Sequence, residues 1–343
     1  MYFWVSNKDK KMRKYIYLLT TLFFMFSCNK STKFVDVGEI KVKVNLSRID
    51  LELPNCKNRK EVAVLLSKND DFVNAFIHYG IFPDKNVMTN ELLLLAKDQK
   101  VKEIFDEVAK EYTDVTDIEP QIGDLFKHIK YYFPKFQEPT IYMIMGGFGG
   151  FDANYMDQKT IVLGMENFLI NKGRYFPPRE STPFYMHKHY TREKIPSKVS
   201  NMIGQFEFAN FDKKDKTLIN AMIYWGKIYY FSEYMLPNTP DSLIIEYTSD
   251  EMARVEANKK ETYGYFAKND LLYNEEKVAR TKFVEPRPTT NEIGDKAPGR
   301  VGRYLGWEIV RSYMRENPEV TIEALMKDVD HKEIFKNARY KPR

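Results

Sequence analysis

The sequence predicts an α+β fold, mostly helical with a small sheet, in a single globular domain over residues 40–343. Three observations predict it. Alternating or continuous apolar runs of strand length are confined to residues 40–53, 139–147 and 159–169. Apolar residues three and four apart dominate residues 58–133 and most of the second half. The two kinds of stretch are segregated rather than strictly alternating, which separates α+β from α/β proteins.

The elements follow in chain order. In "IKVKVNLSRIDLEL", Ile40, Val42, Val44 and Leu46 share one face opposite Lys41, Lys43 and Asn45, the period of one or two half-buried strands. "NDDFVNAFIHYG" opens on Asn and Asp and stops at Gly, as a short helix does. Helices follow in "MTNELLLLAKDQKVKEIFDEVAKEYTDV" and "IEPQIGDLFKHIKYYFP", and Pro134 ends the series. "PTIYMIMGG" and "KTIVLGMENFL" read as strands. "GGFGGFDAN" between them lacks the Lys and Ser/Thr of a P-loop and the spacing of a dinucleotide fingerprint, so it reads as a hairpin or strand-end loop. Helices are expected at 195–210, 216–235, 248–268 and 300–316, with a short pair near 321–336. Residues 274–299, rich in Pro, Thr and Asn, read as a long loop.

The start of the chain carries an address. Lys8, Lys10, Lys11, Arg13 and Lys14 precede a 12-residue apolar run from Tyr15 to Phe26. A membrane span needs about 20 apolar residues, so this run is expected to be the core of a secretory signal peptide over residues 1–27. Five cations on one flank argue against the alternative, a buried N-terminal helix. "MFSC" has the small Ser27 before Cys28, as in a bacterial lipobox, although Met25 stands where Leu is commonest. Cys28 is therefore expected to be diacylated and to tether the domain through residues 28–39. Met12 opens a complete signal segment by itself, so the first 11 residues read as an over-extended gene start. Two or more acyl chains hold a protein on a membrane stably. "NKST" at 29–32 contains no acid and gives no charged surface-export tag, which favours the periplasmic side.

Charge and cysteine usage narrow the partners. The whole chain carries a formal +5, but the leader alone holds +4, leaving +1 for the rest. A nearly neutral domain offers no electrostatic footprint for nucleic acid. With Cys28 lipidated, Cys56 stands alone in the polar turn "PNCKNR" as an ordinary thiol, and an apolar core must supply the stability. Aromatic residues make up 15% of the chain, which favours such a core over disorder.

Chemistry is sparse. No HExxH, GxSxG, CxxC or Walker signature occurs. His187 and His189 in "HKH" are the best metal-like pair, since residues two apart on a strand point the same way; a surface pair in a Tyr-rich loop is the plain alternative. Carboxylate pairs such as Glu207 with Asp212, or Glu246 with Asp250 and Glu251, are not singled out by spacing.

Four passages carry a resemblance: "SCNKSTKFVDVGEIKVKVNLSRIDLEL", the long helical stretch beginning "INAMIYWGKIYYFSEYMLPNTPDSLIIEYTSDEM", "NDLLYNEE", and "APGRVGRYLGWEIVRSYM". Together they resemble the gliding motility lipoprotein family GldB, and the Pro-Gly-Arg before a Gly-Trp-x-Ile-Val-Arg helix is the most specific. The resemblance implies an envelope lipoprotein of gliding bacteria, needed for surface movement and associated with the motility and secretion apparatus.

That family is similar, more distantly, to a group of zinc peptidases in which Leu-Pro precedes His-Glu-x-x-His on one helix and Glu-Gly lies on the next. Two histidines at i and i+4 share a helix face and bind zinc, the Glu between them acts as base, and the later Glu completes the metal site. Laid on "IPSKVSNMIGQF", the pattern puts Asn201 and Gln205 at the histidine positions, Met202 at the base and Trp225 at the last ligand. The resemblance thus implies a peptidase-like core that lacks its metal site, with no cofactor. The old cleft would remain as a binding groove lined by Tyr224, Trp225, Tyr229 and Trp307, with Arg300, Arg303 and Arg311 as partner anchors. Arg300 stands at a helix start, where the macrodipole disfavours a cation; a partner carboxylate or a tight loop contact would offset that. The alternatives are an envelope metal-dependent hydrolase rebuilt near His187 and His189, and a substrate-binding lipoprotein.

Overall fold

Apolar alternation at the front of the domain yields a four-stranded sheet in the order β1-β2-β4-β3. The computed structural model describes residues 35–77, 84–146, 153–172, 174–176 and 182–342. The leader, Cys28, the tether up to residue 34, His78 and most of the Gly-rich piece lie outside the described residues. Val37–Arg343 forms one compact unit.

β1 (Asn45–Arg48) pairs parallel with β2 (Thr140–Ile144), which pairs parallel with β4 (Thr160–Gly164). β3 (Ala153–Met156) runs antiparallel to β4. Parallel neighbours need a long crossover. Between β1 and β2 the chain supplies α1 (Arg59–Ser67), α2 (Lys85–Lys97), α3 (Gln99–Tyr112) and α4 (Glu119–Tyr132). Asn58, Asp84 and Asp98 cap the first three by accepting from first-turn N–H groups. The β3–β4 turn places Asp157 and Gln158 at positive φ, 45° and 62°.

The sheet is buried on both faces, and the period of two sorts its side chains. Ile141, Met143, Ile161 and Leu163 join the main helical core. Tyr142, Ile144 and Val162 join a second core beneath α1, with Val62, Leu66 and Phe72. This is why β4 reads as a continuous apolar run rather than an alternating one.

The second half builds the main core around α6 (Leu218–Met235), which is buried on nearly every side. α5 (Ile195–Ile203), α10 (Val301–Glu316), α11 (Ile322–Lys327) and α12 (His331–Ala338) pack around it, with α7 (Ser249–Ala257), α8 (Lys259–Lys268) and α9 (Lys277–Phe283) completing the helical part. The α6–α10 crossing is backbone to backbone. A Cβ at Gly226 would lie 2.3 Å from Gly306 O, and one at Gly306 would lie 1.9 Å from Met222 O. The glycines of the Trp225-Gly226 and Gly306-Trp307 pairs are therefore packing residues.

Several expectations are corrected. The alternation from residue 40 forms a strand only over Asn45–Arg48, the length that pairs with β2 from Thr140 onward, and the chain then turns helical at Ile49–Glu52. β4 stops at Gly164, and 3-10 turns follow over Met165–Lys172, where Glu166 turns inward and accepts from Gly146 N at 2.8 Å. The helix expected at 195–210 leaves α geometry at Gly204 and closes with a π turn, Gly204–Phe208. The helix expected at 248–268 is broken at Asn258. The stretch read as a long loop contains α9, whose Ala279 and Phe283 are buried.

Candidate functional site

Pro196 occupies the first turn of α5, where its missing N–H removes nothing from the helix. That helix carries Lys198 and Asn201 three residues apart, hence on one face, and Lys194 stands just before it. Opposite lies Glu246, a residue with φ of 61°. Left-handed backbone is unusual for Glu. Here it lets both the carbonyl and the carboxylate of one residue turn into the same cluster.

The carboxylate accepts from Lys198 Nζ at 2.9 Å and from Asn201 Nδ2 at 3.2 Å. Asn201 Nδ2 also reaches Ile244 O at 2.9 Å, while its Oδ1 accepts from Ser232 Oγ, which in turn accepts from Ser200 Oγ. Burial by itself would raise the Glu246 carboxyl, but Lys198, Arg300 and the hydrogen bonds hold it down at about 2. The Glu246 carbonyl is approached by three donors: His189 Nδ1 at 2.6 Å, Lys194 Nζ at 3.3 Å and Arg300 Nη2 at 3.4 Å. Burial lowers the Lys194 ammonium to about 8. Burial and the Arg300 charge also lower His189, against the opposing pull of Glu251. Glu251 closes the cluster from α7. It forms a capping box with Thr248 and an ion pair with Lys188 at 2.8 Å.

Arg300 has φ of 63° and is almost buried, its guanidinium 5.1 Å from the Tyr247 ring centre. It forms no ion pair within 4 Å among the described residues. Of the two compensations expected at this helix start, the structure shows the loop contact.

The remaining candidates occupy three other places. Met202 packs in the main core. Gln205 lies in the π turn, where its carbonyl accepts from Tyr224 Oη at 3.5 Å. Trp225 lies under the guanidinium of Arg303, 3.5 Å from its ring centre, and Arg303 Nε donates to Val284 O at 2.6 Å. Tyr229 and Trp307 are interior side chains at 1% and 0% exposure, so they do not line an open groove. Trp307 Nε1 donates to Glu233 Oε2 at 2.9 Å, and Arg311 bridges Glu233, Glu308 and Asp241 at 2.8, 3.1 and 2.7 Å. These residues hold α6 and α10 together.

His187 and His189 sit on a 3-10 turn, Phe184–His189, not on a strand. Three residues per turn direct positions two apart to different sides. His187 stacks on Phe176 with ring centres 5.4 Å apart, while His189 turns to Glu246 and Glu251. Among the described residues no three His, Cys, Asp or Glu side chains gather in a way that would hold a metal ion.

Sequence reasoning missed Lys194 and Lys198, and it named Glu246 among the carboxylate pairs without singling it out. Lysine and glutamate are common here, and nothing in their spacing marks them. The one usable signal was Arg300, a cation where a helix begins. Elsewhere a surface cleft of about 600 Å³ is floored by Phe133, Phe136 and Phe208 and rimmed by Lys135, Glu207 and Lys327. No helix of the described residues is long and apolar enough to cross a membrane.

Comparison with known proteins gives one result. A family model described as gliding motility protein GldB matches residues 30–342. No curated protein and no solved structure matches. The match spans nearly the whole domain, including the Gly226 and Gly306 contact and the cluster at Glu246, and the chain belongs to the gliding motility protein GldB family of lipoproteins.

Proposed function

We propose that this lipid-anchored envelope protein supports gliding, and the secretion apparatus tied to it, through protein contacts and without catalysis, on the periplasmic side. The observation that carries this reading is the use made of the four positions where the peptidase resemblance puts catalytic groups. Asn201 is committed to Ile244, Glu246 and Ser232, and Met202 packs in the core. The Gln205 backbone meets Tyr224, and Trp225 supports Arg303. An amide, a thioether and an indole provide neither a base nor a zinc ligand set. A peptidase-like core whose site has been turned over to packing fits these roles.

The test is genetic and chemical. Deleting the gene is expected to abolish or strongly reduce colony spreading and envelope secretion, with recovery on complementation; unchanged movement refutes the role. Elemental analysis of the lipidated chain, purified in detergent without added metal, is expected to find no stoichiometric zinc. About one zinc per chain would return the metal-dependent hydrolase to first place.

A further inference from the structure

We propose that the cluster at Glu246 is an oxyanion-binding site, in which Lys194 and Arg300 hold a single carboxylate or phosphate group. The observation behind it is a mismatch between donors and acceptors.

A buried ammonium or guanidinium is costly unless it is paired and hydrogen-bonded. Other cations of this fold meet that demand. Lys198 has the Glu246 carboxylate, and Arg311 has Glu233, Glu308 and Asp241. Lys227, fully buried, donates its three protons to the carbonyls of Asn210, Met326 and Asp328 at 3.0, 3.2 and 2.6 Å. Lys194 and Arg300 are different. They are 3% and 6% exposed, and each makes one long hydrogen bond, to the same carbonyl oxygen. That oxygen has two lone pairs, and His189 Nδ1 already approaches it at 2.6 Å. Most of the N–H groups of these two cations are left without a protein acceptor.

Charge and position point the same way. Lys188 pairs with Glu251 and Lys198 with Glu246, whereas Lys194 and Arg300 form no ion pair within 4 Å among the described residues and feel the Glu246 and Glu251 charges, with Glu193 also near Lys194, only at longer range. Arg300 immediately precedes the first turn of α10, a 16-residue helix whose positive end adds to the same field. Bonds of 3.3 and 3.4 Å to one shared oxygen put Lys194 Nζ and Arg300 Nη2 within 6.7 Å of each other. Two oxygens of one carboxylate or phosphate group span such a pair.

The test is a titration of the full lipidated chain with inorganic phosphate and, separately, acetate, at ionic strength held constant with sodium chloride, following the thermal unfolding midpoint. A saturable rise in the midpoint is expected with at least one anion. Response to phosphate alone assigns a phosphate ester as ligand; response to acetate assigns a carboxylate. Lys194→Met is expected to weaken the anion response at least tenfold. In anion-free buffer its midpoint is expected to equal or exceed that of the wild type, because an apolar side chain replaces a poorly paired cation. Arg300→Asn, which tolerates positive φ, provides a second loss of binding. Absence of a saturable response in the wild type, or an undiminished response in Lys194→Met, overturns the proposal and leaves both cations as supports of the Glu246 carbonyl.

Discussion

Replacing Gly306 by alanine adds one methyl group where α6 and α10 meet backbone to backbone. The new Cβ would lie 1.9 Å from Met222 O and 2.4 Å from Met222 C, against an ordinary contact distance of 3.4 Å or more. The shortfall is about 1.5 Å, and the atoms met are backbone atoms that cannot rotate away. α6 and α10 must separate. A gap of 0.5–1 Å already forfeits a quarter to a half of the dispersion energy at each contact. The contacts at risk include those of the fully buried Trp307 and Met222. Overpacking costs about 1–3 kcal/mol and sometimes more, and the alanine returns only about 1 kcal/mol of helix propensity. Because the atoms met are backbone, the cost falls at or above the top of that range, and the expected net loss is about 2 kcal/mol or more. Gly264→Ala is the control: it lies within α8, is exposed and meets nothing within 4 Å. There the same methyl group should stabilise by about 0.5–1 kcal/mol. Urea unfolding followed by tryptophan fluorescence and far-ultraviolet circular dichroism measures both variants. Equal effects, or a stabilised Gly306→Ala, would refute the close helix contact.

Two further outcomes are expected. His331 Nδ1 donates to Asn220 O at 3.0 Å, and burial first, then the Lys227 charge, lower the ring to about 4. The folded state binds fewer protons there than the unfolded state, so stability is full above about pH 6.5 and is lost as pH falls towards 4, by about 3 kcal/mol at about 1.4 kcal/mol per unit. His331→Asn, measured by urea unfolding across that range, should reduce the pH slope by about one proton; an unchanged slope refutes the assignment. Lys198→Met removes the 2.9 Å partner of the Glu246 carboxylate. It should destabilise by about 2–3 kcal/mol at neutral pH, with a smaller loss in Lys198→Met combined with Glu246→Gln, as a double-mutant cycle would show.

The sequence by itself determined the leader and lipidation expectations, the α+β class, the order of most helices and the family. These depend on local pattern: apolar period, caps such as Asp84 and Asp98, and an uncommon Gly-Trp string. Only the tertiary structure decided which glycines are contacts. Gly306 and Gly264 are both helix-interior glycines, and just one faces another backbone. Only the structure moved Trp307 and Tyr229 from an expected groove into the core, since an aromatic stripe has the same spacing in either setting. Only the structure brought Lys194, Lys198, Glu246 and Arg300 together, from segments more than 40 residues apart. The physical reason is shared. Local sequence fixes a residue's helix or strand face, whereas its neighbours across that face depend on how distant segments pack.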